Sequence, residues 1–96
     1  MSKLRNNLSK IIWSDSKIVE YSFAAKCKVF ELTIVDYQNE KLKVRFTNVE
    51  YNFIDDPVYI SNAKFSESNG ESIAEFSDDD SVVIKIIYER SEVLCL

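Results

Sequence analysis

From Lys17 onward, the apolar residues of this chain recur at every second position, and that period decides most of what it can fold into. Successive side chains of an extended strand point to opposite faces. An apolar–polar repeat of two therefore describes a strand with one face in a core and the other in water. Between Lys28 and Val35, Phe30, Leu32 and Ile34 face one way, while Val29, Glu31, Thr33 and Val35 face the other. Leu42, Val44 and Phe46 then alternate with Lys41, Lys43, Arg45 and Thr47. Asp36-Tyr37-Gln38-Asn39-Glu40 lies between them and supplies turn-forming side chains. The two runs predict an antiparallel hairpin.

The same period reaches almost to the C-terminus. Ile18, Glu20, Tyr21 and Phe23 begin a strand whose alternation is broken, and Val49, Tyr51 and Phe53 keep the period after Asn48, so that strand runs on or bends there. Asp55-Asp56-Pro57 is a stop, because proline has no N–H to give a ladder. Val58-Tyr59-Ile60 and Ala63-Lys64-Phe65 read as one further short strand. Asn69-Gly70 is a tight-turn signal, since both residues accept the positive φ of a hairpin turn. Ile73–Phe76 returns, residues 77–81 turn again, and Val82–Arg90 reads as a long strand with Val82, Ile84, Ile86 and Tyr88 on one face. Val93-Leu94-Cys95-Leu96 predicts a packed C-terminal segment. Only the start differs. Leu4, Leu8, Ile11 and Ile12 fall at i, i+4, i+7 and i+8 behind a capping Ser2, which predicts a short amphipathic helix. The expected fold is mainly β: six or seven antiparallel strands in a sandwich, a rolled sheet or a partial barrel, with one short N-terminal helix, in a single domain over residues 1–96.

Composition narrows the function. Among 96 residues there is no histidine, one glycine and one proline. Without histidine there is no Ser-His or Cys-His nucleophile pair and no ordinary general base near neutral pH. A single glycine leaves no Gly-rich loop to cradle phosphates. The expectation is a protein that is not an enzyme and carries no cofactor. Asp78-Asp79-Asp80 lacks the spaced oxygen ligands of a Ca²⁺ loop, and two cysteines without histidine make a poor zinc site, so no metal is expected. Cys27 and Cys95 read as reduced, buried thiols of a cytoplasmic protein. No apolar run nears the ~18 residues that a membrane span needs. A sequence pI of about 4.8 argues against binding nucleic acid through its phosphates.

Charge points to a partner. Residues 1–45 carry nine Lys/Arg against five Asp/Glu, and residues 46–96 carry three against eleven. The carboxylates of the second half gather at turn signals: Asp55 and Asp56, then Glu67, Glu71 and Glu75, then Asp78, Asp79 and Asp80. Such loops on one side of the fold would steer a basic protein into register, with Tyr51 and Tyr59 as aromatic anchors. The plainer reading is that acidic turns keep a β protein soluble and guard its sheet edges.

Asp15-Ser16-Lys17-Ile18, Val29–Val35, Leu42-Lys43-Val44-Arg45-Phe46 and Asn48-Val49 together resemble a pattern of small β-rich bacterial immunity proteins from polymorphic or contact-dependent toxin systems. Those proteins often have histidine where this chain has Ser14. The resemblance implies a protein that binds one cognate protein toxin, commonly a nuclease, and blocks it; the expectation is a monomer or homodimer whose acidic surface fits the basic cleft of such a nuclease. It carries over no binding residue. Two other readings stay open: a ligand-binding β-barrel lined by Phe23, Phe30, Phe46, Phe53 and Tyr88, and a structural subunit that pairs with itself through an open sheet edge.

Overall fold

A computed structural model describes residues 4–5 and 11–95. They form ten strands: β1 (Leu4–Arg5), β2 (Ser16–Ala24), β3 (Val29–Val35), β4 (Lys41–Thr47), β5 (Tyr51–Ile54), β6 (Tyr59–Ile60), β7 (Asn62–Ser68), β8 (Glu71–Asp78), β9 (Ser81–Tyr88) and β10 (Arg90–Cys95). A larger sheet has the order β1-β10-β4-β3-β2-β6 and a smaller one the order β5-β9-β8-β7, all pairs being antiparallel. The result is a two-layer sandwich, not a closed barrel.

The alternation in β3 and β4 is realised as read. Phe30 lies opposite Phe46, Leu32 opposite Val44 and Ile34 opposite Leu42, and this face is buried. Ala74, Phe76, Ile84, Ile86 and Tyr88 of β8 and β9 complete the core from the other layer. Phe46 is central: its ring centroid lies 4.7 Å from that of Tyr88, 6.4 Å from Phe76 and 6.3 Å from Phe30. Trp13 closes one flank, 4.9 Å from Phe76 and 5.9 Å from Phe65. The rings that a ligand barrel would have lined its cavity with therefore divide. Phe30, Phe46 and Tyr88 are packed in the core, whereas Phe23 and Phe53 stand partly in solvent.

Turn chemistry explains the hairpins. The Asp36 carboxylate accepts the N–H groups of Gln38 and Glu40, both at 2.9 Å, and Asn39 takes a φ of 64°. Asn69 and Gly70 take φ values of 53° and 80° between β7 and β8. Asp79 takes 56° between β8 and β9.

Three expectations need correction. The N-terminal helix is not found among the described residues: Leu4 and Arg5 are extended and pair with Leu94 and Val93, Ile11–Trp13 is irregular, and Ser2 and Leu8 lie outside the described residues. A lone helix of about twelve residues is marginal in water, and β10 offers Leu4 and Arg5 a ready ladder instead. Six or seven strands is an undercount, because the chain changes sheets within runs that look continuous. It crosses at residues 48–50, 55–58, 61 and 89. At one corner the Glu89 N–H donates to Thr47 O at 3.1 Å, the Glu50 N–H to Ile87 O at 2.8 Å, and Asn48 Nδ2 to Glu89 Oε2 at 3.0 Å. Two crossings are thus tied to each other. Finally, Cys27 is exposed in the β2–β3 loop, where it has no core to enter.

The imperfect alternation in β2 also has a physical source. Ile18 pairs with Ile34 and Glu20 with Thr33, so Val19 is an extra residue, a β-bulge. The bulge puts Ile18 and Tyr21 on one face despite their odd spacing.

Candidate partner-binding surface

The smaller sheet has one face in the core, and no layer covers its other face among the described residues. Registers across its strands place Tyr51, Ile87, Ile73 and Ser66 in one transverse row, and Phe53, Lys85, Glu75 and Lys64 in the next. Tyr51 is 48% exposed and Phe53 40%, with Ile73 and Ile87 half-buried beside them. Glu75 therefore lies between two lysines in mid-sheet, where it balances charge locally and adds little to an acidic rim.

The remaining predicted residues divide between the two ends of this sheet. At one end, the Asp55 N–H donates to Val83 O at 2.9 Å, and Asp78 pairs with Ser81 across the next turn. That brings Asp55 and Asp56 to the same end as Asp78, Asp79 and Asp80, though more than twenty positions separate them in the chain. Tyr59 joins them from the larger sheet, its hydroxyl donating to the Asp15 carboxylate. The Asp79 N–H donates to Ser61 Oγ at 2.9 Å, and Ser61 Oγ in turn donates to Ser77 O at 3.1 Å, so the turn is anchored to the crossing after β6. None of the six aspartates forms an ion pair among the described residues. Their field is felt by Tyr59, whose phenol is held above its usual 10.0, first by the hydrogen bond to Asp15, then by partial burial and by the charges of Asp15, Asp78 and Asp79.

Glu67 and Glu71 sit at the opposite end, in the hairpin that joins β7 to β8. Along β8 that is about 23 Å from Asp78, at roughly 3.3 Å per residue. Here Glu67, Ser72, Tyr88, Glu89, Arg90, Ser91 and Glu92 line an open groove of about 490 Å³. Tyr51 belongs near this end, opposite Ile87, and so the two tyrosine anchors are not neighbours. Burial raises the Tyr88 phenol above 10.0, the Ser91 hydrogen bond opposes that rise, and Glu67 adds to it.

The surface is therefore an aromatic strip with acid at both ends, not a single acidic rim. Sequence reading missed Asp15 as a member of the aspartate end and Phe53 as a solvent-facing ring. The signal for Phe53 was its shared parity with Tyr51. For Asp15 there was only its place in a turn, where it takes a φ of 62°. Among the described residues, no group of three or more Cys, Asp or Glu side chains is arranged to hold a metal ion, and no helix is long and apolar enough to cross a membrane.

No protein-family model matches this chain, and no curated protein matches it. In fold it is similar to the crystal structure of an uncharacterized protein from Neisseria gonorrhoeae, with a TM-score of 0.67 and 16% identity, over 97% of this chain and 96% of that one. At that identity the likeness shows the fold alone.

Proposed function

We propose that this chain is an immunity-type inhibitor of the bacterial cytoplasm, which binds and neutralises a cognate toxin, a basic nuclease, through its acidic surface. One observation carries the reading: Asp55, Asp56, Asp78, Asp79 and Asp80 meet at one end of the smaller sheet, and among the described residues no lysine or arginine is paired to them. Carboxylates without partners in the fold are free to meet the phosphate-binding cations of a nuclease cleft. Their field acts on association before any contact forms. Phe53 and Tyr51 supply apolar area beside them, the kind of aromatic contact that dominates binding energy. Local aspartate hydrogen bonding alone accounts for turns, as Asp36 does, but not for the convergence of separate turns on one edge.

The test uses tagged wild-type protein and an Asp55→Lys/Asp78→Lys/Asp80→Lys variant as baits in a lysate of the source organism, eluted with a salt gradient. All three positions lie in turns or at a strand end, so the fold should survive, and circular dichroism checks that it does. A small basic protein that the wild type retains to high salt and the variant loses supports the reading. With that partner purified, the variant should associate more slowly with little change in dissociation. Equal retention by both baits would sink the assignment of the aspartate end.

A further inference from the structure

The larger sheet ends in an edge that the fold covers only in part, with the Val19 bulge and Glu20 at its start. Residues 58–60 cover only the first three residues of β2: Ser16 and Lys17 pair with Ile60 and Tyr59, and the Ile18 N–H donates to Val58 O at 2.9 Å. From Val19 to Ala24, no strand lies alongside among the described residues. The direction of the Ile18 N–H fixes the phase of the ladder. Ile18 and Ile34 form a pair that is not hydrogen-bonded within β2–β3, and after the Val19 bulge so do Tyr21 with Leu32 and Phe23 with Phe30. The N–H and C=O groups of Tyr21 and Phe23 therefore point out of the sheet edge. Their side chains share the core-facing side with Leu32 and Phe30, yet Tyr21 is 39% exposed and Phe23 38%.

Other edges are blunted. β1 and β6 have two residues each, β5 has four, and β7 carries Lys64 and Glu67 with Ile11 and Trp13 beside it. Beyond the bulge, the five residues Glu20–Ala24 form a regular open edge with two half-exposed aromatic rings, which soluble proteins avoid unless something pairs with it.

We propose that β2 pairs with β2 of a second copy, antiparallel, about a two-fold axis through Ser22. In this register, Tyr21 of each copy stands opposite Phe23 of the other. Both are residues whose backbone groups face outward, so the two pairs supply four N–H···O=C bonds. Ser22 stands opposite Ser22 in the close pair between them, with Cα atoms about 4.5 Å apart. Each tyrosine meets a phenylalanine across the junction, a favoured cross-strand contact. Charge agrees with this occupant. Glu20 falls opposite the small Ala24 of the second copy, just short of the loop that carries Lys26 and Lys28. An axis one residue to either side would set bulged Val19 into the junction or unpair the rings. The join lies on the larger sheet, and its existence does not depend on the function of the aspartate end.

Sedimentation velocity across a concentration series and a register-specific cross-link test this. The full chain should shift from 11.1 kDa to twice that mass towards high micromolar concentration. Tyr21→Lys/Phe23→Lys, with both positions half-exposed, should stay folded by circular dichroism and lose the dimer. In a Cys27→Ser background, Ser22→Cys should oxidise to a covalent dimer, whereas Glu20→Cys, which has no counterpart of itself across the axis, should remain at the level of the parent. A monomer at every concentration overturns the proposal. So does a dimer in which Ser22→Cys links no better than Glu20→Cys.

Discussion

On its outward face, the larger sheet sets Lys41, Lys43 and Arg45 of β4 against Glu31 and Thr33 of β3, whereas the smaller sheet turns Tyr51, Phe53, Ile73 and Ile87 to solvent. Arg45 is the hub of the first, with Nε 2.9 Å from Glu31 and Nη1 4.0 Å from Glu92. Its β10 and β3 neighbours lie opposite it in register, so the three strands carry acid, base and acid in a row. The second has charge in mid-sheet only at Lys64, Glu75 and Lys85, and its remaining carboxylates are pushed to the ends. Both faces were written by one alternation, and both sheets bury their inner face in one shared core. The period sets which residues face outward, while the choice of outward residues separates a charged, solvated surface from an apolar one.

Phe46→Ala should act on both sheets at once, because Phe46 touches rings of both layers. It should cost about 3–5 kcal/mol in urea unfolding, and both outer faces should be lost in one transition. Alkaline solution acts next, through Tyr88. Its phenol is raised above 10.0 in the fold, so its contribution is complete below the unfolded value and lost as pH rises through the folded one. Thermal melts should show a fall in stability above about pH 10 that is shallower in Tyr88→Phe. Arg45→Ala sharpens the contrast from the polar side. Its ion pairs are partly exposed, so the loss should be at most about 1 kcal/mol and should shrink in high salt. Tyr51→Ser/Phe53→Ser does so from the apolar side. Stability should move by no more than about 0.5 kcal/mol. Retention of the basic partner in the salt-gradient pull-down should fall. A large loss of stability would make this strip structural.

The hairpins were legible because their causes are local: an aspartate that accepts the amides of its own turn, or an Asn-Gly pair that tolerates positive φ. The changes of sheet were not. Nothing within residues 47–51 announces that Val49 bonds to Lys28 O while Glu50 bonds to Ile87 O, since both partners are remote in the chain. The misread N-terminus has the same origin: Leu4 and Leu8 have helical spacing, but the partner that makes Leu4 a strand is Leu94. For the site, turn signals marked Asp55, Asp56, Asp79 and Asp80, which lie between strands, while Asp78 is the last residue of β8. Only long-range pairing reveals that turns 55–56 and 78–80 converge while Glu67 and Glu71 travel to the far end.

β10 lies between β1 and β4, so the sheet that begins with the first described residues is completed by the last. During synthesis, β4 keeps a bare edge and β1 has no neighbour until Arg90–Cys95 has left the ribosome tunnel. The β2–β4 meander meanwhile has an apolar face that only β8 and β9 can cover. Assembly of the larger sheet must therefore wait for β10, and an all-β topology closed by such distant pairings is expected to fold on the millisecond-to-second scale of high contact order. The chain's order of synthesis is therefore not its order of assembly.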